Sequence, residues 1–202
     1  MPGRGNNVRR VQYLGRHLMI RGEYVERLLS GEKRATIRAG VVRPRYSEVI
    51  IHGGGRPVAK AVIEGVEVKR LGELTEEDAR LDGFRSRDEL VSALRRTYKW
   101  LGPEDPVTII KLRVVKRLDD VESDDPYMGL EPGDIARIAL RYLKDLSREE
   151  VKVLRLLTQT NSIREATLIL YKDLGQRWRV RRVLRRALRR LVEEGVLGGP
   201  HS

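Results

Sequence analysis

With 202 residues, of which 40% are hydrophobic and 35% charged, the chain can bury one large core or two small ones, since domains commonly run about 100–150 residues. It has no cysteine and only three histidines, His17, His52 and His201, none in an HxxxH pair. That excludes disulfides, thiolate catalysis and cysteine-ligated zinc, and no metal site or cofactor is expected. The formal charge of +12 points to an anionic partner, nucleic acid foremost.

No window approaches the roughly 18 uninterrupted apolar residues of a membrane span. The basic start, MPGRGNNVRR, is followed by no apolar stretch of the kind a secretory signal needs. A cytoplasmic protein with no membrane partner is therefore expected, with residues 1–15 as a basic arm. The abundance of charge and absence of thiols resemble the habits of heat-adapted proteins.

In chain order, "RHLMIR" reads as a strand. "EYVERLLSG" places Val25, Leu28 and Leu29 on one helical face and stops at Gly31. "KRATIR" returns as a strand. In a straight strand Arg34, Thr36 and Arg38 share one face and Lys33 takes the other, so Lys33 can join Thr36 and Arg38 only if the turn after Gly31 curls it back. "SEVIIH" and "PVAKAVIEGVEV" read as strands joined through Gly53, Gly54 and Gly55. That glycine run lacks the G-K-[ST] ending and following helix of a phosphate loop and reads as a hairpin turn. Two helices follow, one N-capped by Thr75, one opened by a capping box of Ser86 and Glu89, and "DPVTIIKLRVVKRL" is the clearest strand. The sum is α+β, with short helices around a small barrel.

Residues 1–118 carry 25 lysines and arginines against 15 acids, residues 119–134 none against 7, and residues 135–202 carry 16 against 7. Two basic bodies thus flank an acidic, proline- and glycine-bearing stretch that has the composition of a linker. The expected organisation is an arm at 1–15, an α+β domain at 16–118, the linker at 119–134 and a helical domain at 135–202.

That last domain reads as helices throughout, with Ser147 and Glu150 as another capping box. Its final helix interleaves Arg177, Arg179, Arg181, Arg182, Arg185, Arg186, Arg189 and Arg190 with Val180, Val183, Leu184, Ala187, Leu188 and Leu191. The apolar set lies on one face; the arginines cover the rest and repel one another unless an anion compensates them. Phosphate matches the guanidinium fork, so these eight arginines are the candidate nucleic-acid contacts. The helix, turn, helix order is that of a helix-turn-helix unit. "LRRLVEEGVL", residues 188–197, resembles the phrase that often closes the recognition helix of winged-helix proteins, although the five residues after Leu197 are too few for a two-stranded wing.

The spacing G-x-K-x-x-[ET]-x-R, present as Gly31, Lys33, Thr36 and Arg38, together with the later "LTEEDARLDGFRSRDEL", resembles the ASCH superfamily over about residues 16–117. The resemblance implies a PUA-like β-barrel with a ligand pocket beside the G-x-K motif, formed by Gly31, Lys33, Thr36, Arg38 and Asp82. It also implies RNA or a modified nucleotide as the ligand. Thr36, where several members carry glutamate, looks like the version in small bacterial ASCH enzymes that hydrolyse the acetyl amide of N4-acetylcytidine. By that resemblance Thr36 is the nucleophile, neutral Lys33 its base and Asp82 the carboxylate, one methylene shorter than the family's glutamate. Such a lysine needs its pKa lowered by burial or by cations such as Arg34 and Arg38.

Three functions are carried forward. The first is RNA binding through the pocket, with the arginine helix contacting phosphates of RNA or DNA. The second is an amidohydrolase using Lys33, Thr36 and Asp82, and the third a ligand-sensing regulator of DNA.

Overall fold

A computed structural model describes residues 11–118 and 127–198. Its chain falls into two compact units, one ending at Arg117 and one beginning at Leu118. The first ten residues of the basic arm, residues 119–126 of the acidic stretch, and residues 199–202 with His201 lie outside the described residues.

The first unit is built on strands β1 (Gln12–Leu14), β2 (His17–Met19), β3 (Ala35–Ala39), β4 (Val42–Pro44), β5 (Glu48–Gly53), β6 (Arg56–Arg70) and β7 (Pro106–Arg117). Five of them form one sheet in the order β2-β5-β6-β7-β3, with only the β2–β5 pair parallel. The 15-residue β6 is long enough to curl, and its register against β7 shifts at Lys60/Ala61 and at Ile63/Gly65. Such irregularities bend a strand and increase its twist. The result is a curled half-barrel, consistent with the expected α+β barrel-like fold, in which among the described residues no ladder joins edge strand β2 to edge strand β3. Instead the Arg38 guanidinium crosses from β3 to donate to the Met19 carbonyl oxygen of β2.

The core follows from β7, whose apolar run is buried on both sides. Val107 and Ile109 pack with Ala35, Ile37 and Ala39 of β3 against the helices that follow β6. Ile110 and Leu112 turn the other way, toward Leu18, Val49, Ile51 and Val58 inside the curl. Strands covered on both faces read as near-continuous apolar stretches, which is why β7 was the clearest in the sequence. The short β1 and β4 carried no such signal. They pair in parallel as a separate ribbon, so Gln12–Leu14, read as part of the arm, is ordered structure.

Helix α1 (Val25–Leu29) ends as expected at Gly31, whose φ of +80° lets the chain reverse. Helix α2 (Glu76–Leu81) is capped by Thr75, which accepts from the Asp78 N–H, and α3 (Arg87–Thr97) by Ser86. The Ser86 box is only half formed, because the Glu89 carboxylate accepts from the Arg85 N–H instead. The glycine run makes a two-residue hairpin turn at Gly54–Gly55 between β5 and β6.

The second unit is helical: α4 (Pro132–Tyr142), α5 (Arg148–Thr160), α6 (Ile163–Tyr171) and α7 (Arg177–Glu193). Helix α4 takes up the last three residues of the stretch read as linker, with Gly133 and Asp134 buried. The capping box at Ser147 and Glu150 forms in full. Val180, Leu184, Ala187, Leu188 and Leu191 of α7 are buried on one face, as the period requires. No helix among the described residues is long and apolar enough to cross a membrane.

Candidate functional site

The turn after α1 answers the question of where Lys33 points. Strand β3 starts only at Ala35, so strand alternation does not reach Lys33. The Lys33 N–H instead donates to the Arg27 carbonyl at 2.7 Å, which folds the side chain inward until the residue is 3% exposed. There the ammonium donates to the Asp82 carboxylate and, at 3.0 Å, to the Asp82 carbonyl.

Asp82 reaches this place from the end of α2. The other end of that helix is fixed by Asp78, whose carboxylate accepts from the Thr75 N–H and faces Lys69 of β6 at 3.0 Å. Arg27 then ties the turn after Asp82 to α1 by donating to the Gly83 carbonyl at 2.7 Å. Gly83 has φ +81°, and a Cβ there would lie 3.2 Å from the Lys33 Cβ. Gly83→Ala therefore meets both left-handed strain and a close contact. It is expected to cost about 1–2 kcal/mol and to displace Lys33, which urea denaturation and the Lys33 side-chain NMR shift would measure.

These groups line a cavity of about 120 Å³ at the open seam of the half-barrel. Lys33, Thr36, Arg38 and Asp82 all face it, whereas Gly31 shapes the turn from outside and Arg34 is exposed. Tyr24, Phe84, Thr97 and Tyr98, together with Arg21, complete the wall, and no periodicity in the sequence set them apart. The Tyr24 ring lies edge-on to Phe84, centroids 5.6 Å apart, and 5.4 Å from the Lys33 Nζ. A cavity of ~150 Å³ holds one benzene ring, so the space suits a single small ring.

Burial lowers the Lys33 pKa to about 7, and the positive charges of Arg38 and Arg27 push the same way. Arg27, absent from the sequence reading, thus takes the part expected of Arg34. Between about pH 7 and 10.5 the unfolded chain holds a proton on Lys33 that the folded chain has released. Stability contributed by this group therefore rises with pH across that window. Denaturation curves across the window should show the slope in the native chain and lose it in Lys33→Met; equal slopes would refute the lowered pKa.

Thr36 is 7% exposed and on the cavity wall, but Lys33 Nζ is engaged by Asp82 rather than by the Thr36 hydroxyl. A nucleophile–base hydrogen bond is thus not in place, although such bonds often tighten only with substrate. Elsewhere, His17 and His52, distant in sequence, meet at 2.8 Å because β2 and β5 pair. No group of three metal-ligating side chains assembles among the described residues.

The arginine set divides in two. Arg179 pairs with Glu149 at 3.1 Å and Arg186 with Glu150 at 3.6 Å, both acids from α5, while Arg190 pairs with Glu194 at 3.0 Å. Arg177 donates to the Leu174 carbonyl. Arg181, Arg182, Arg185 and Arg189 are exposed and have no carboxylate partner among the described residues.

The family model for the ASCH domain matches residues 11–116, just over half of the chain. The chain belongs to the ASCH family. Among solved structures, the ASCH domain from Lactobacillus crispatus JV V101 is similar at 16% identity, covering 52% of this chain and 80% of its own, with a TM-score of 0.45. The ASCH protein from Zymomonas mobilis is similar at 16% identity, covering 73% and 96%, with a TM-score of 0.44. No protein of curated function matches the chain. The ASCH match begins at Val11, ahead of the sequence-read boundary, and takes in β1.

Proposed function

We propose that this ASCH protein binds RNA, inserting one base into the seam cavity while the arginine helix holds phosphates. The observation that carries this reading is the ring-sized cavity with Arg21 and Arg38 at its wall and the buried Lys33–Asp82 ion pair inside. Its volume favours a pyrimidine over a two-ring purine. Lys33, Asp82 and Thr36 offer hydrogen-bonding groups, while the Tyr24 and Tyr98 rings supply stacking surface. The organisation is two domains divided at the acidic stretch, with α5, α6 and α7 as a helix-turn-helix whose last helix faces nucleic acid.

Isothermal titration with cytidine, uridine and adenosine tests the pocket. Pyrimidine binding that weakens in Arg38→Ala is the expected result; equal binding of all three, or none, overturns it. Salt titration with a short RNA and with duplex DNA tests the helix, and a marked preference for a duplex DNA site favours the regulator reading instead.

A second reading, hydrolysis of the acetyl amide of N4-acetylcytidine, is favoured by one observation: the Lys33 pKa near 7 suits a base operating at neutral pH. Thr36 would attack the acetyl carbonyl, its proton passing to Lys33 and then to the departing cytidine amine. Water would release acetate from Thr36. Following cytidine formation by chromatography decides it: no turnover, or turnover undiminished in Lys33→Ala and Thr36→Ala, removes the enzyme reading.

A further inference from the structure

Helix α7 carries one residue that neither its buried face nor its arginines explain. Trp178 is 52% exposed near the helix N-terminus, whereas the apolar residues of the same helix that build the core are buried on the opposite side. Trp178, Arg181, Arg182, Arg185 and Arg189 recur at i, i+3, i+4, i+7 and i+11, which places them in one stripe along the helix. The stripe lines a shallow groove of about 520 Å³ that no acid borders. Arg186 lines it too and reaches Glu150 at 3.6 Å, while the four arginines of the stripe have no carboxylate partner among the described residues. The fold thus compensates Arg179 and Arg186 and leaves Arg181, Arg182, Arg185 and Arg189 without acidic partners among the described residues, with an aromatic ring at the head of their stripe.

We propose that this stripe binds a single-stranded segment of nucleic acid, with an unpaired base stacked on Trp178 and successive phosphates on Arg181, Arg185 and Arg189. The proposal rests on the reading that α7 contacts nucleic acid and specifies the form of the ligand. Arginines four apart rise about 6 Å along the helix, a step comparable with that between neighbouring phosphates of one strand. The Arg182 guanidinium lies 5.0 Å from the Trp178 ring centroid, a cation–π contact that orients the ring while half of the residue stays open to solvent. A base within a duplex is stacked on both faces and cannot offer one to an indole. An unpaired base can, and stacking of this kind tolerates any base sequence. A helix lying in a major groove would read base edges with polar side chains and has no use for a large ring at its N-terminal end.

The test uses the full chain. In Trp100→Phe, Trp178 is the sole tryptophan, so its fluorescence reports on this position alone. Titration with a short oligouridine is expected to quench it to saturation, and a fully paired duplex of equal length is not. Trp178→Ala should lower oligouridine affinity about tenfold or more without changing the salt slope or duplex affinity, and Trp178→Phe should keep most of the binding. Equal quenching by duplex, or an equal loss for both ligands in Trp178→Ala, overturns the stacking proposal. Replacing the four arginines separates the two levels. If that variant binds as the native chain does, the underlying nucleic-acid reading of α7 falls; if it loses binding while Trp178→Ala does not, only the single-strand inference falls.

Discussion

Replacing Arg181, Arg182, Arg185 and Arg189 together by alanine is expected to lower the salt slope of single-strand binding by about 2, for the three phosphates met by Arg181, Arg185 and Arg189. Each lost phosphate contact removes roughly 0.7 from the slope on a single strand. Affinity at low salt should fall by about 10²–10³-fold, with all sequences affected alike, since phosphates carry no sequence information. The variant should fold at least as well as the native chain. Like charges one turn apart destabilise a helix, and these four side chains are exposed without acidic partners among the described residues. The contrast is Arg179→Ala with Arg186→Ala, whose guanidiniums already face Glu149 and Glu150. That pair should change the slope far less, and stability by no more than about 1 kcal/mol per exposed ion pair. Fluorescence anisotropy at several salt concentrations, with thermal denaturation as the folding control, measures both. A slope unchanged in the fourfold variant would mean that these arginines do not meet phosphates.

Asp82→Ala is expected to destabilise the N-terminal unit by about 3–5 kcal/mol below pH 7. Lys33, 3% exposed, is then left as a buried cation without its carboxylate. Above pH 7 the loss should shrink, because a lysine whose pKa already lies near 7 can shed its proton instead of carrying an uncompensated charge. Adding Lys33→Met removes the orphan and should recover much of the stability at low pH, so the double variant is more stable than Asp82→Ala alone. Urea denaturation on both sides of pH 7 measures the three proteins. A double variant no more stable than the single one would show that the pair is not coupled as its geometry implies.

The local signals in the chain were legible because each depends on neighbours within a turn or a strand. Gly31 ended α1, Thr75 and Ser147 capped their helices, the double-sided apolar run of β7 stood out, and the apolar period of α7 named its buried face. The three-residue strands β1 and β4 are too short to display a period, and among the described residues each pairs only with the other. Ser86 illustrates the limit of even a good local motif, since Glu89 was diverted to the Arg85 N–H.

By itself the sequence determined the α+β character of the first unit, the helical second unit, and the presence of a lysine, threonine and arginine at fixed spacing after a glycine stop. Those follow from periodicity and from the conformational preferences of single residues. Only the tertiary structure decided that the sheet stays open, that Arg38 bridges its seam, and that Lys33 turns inward to Asp82, 49 residues away. It alone decided which arginines of α7 are neutralised and which remain charged around Trp178. Those outcomes depend on which distant segments come within a hydrogen bond of each other, and that is set by how whole strands and helices pack.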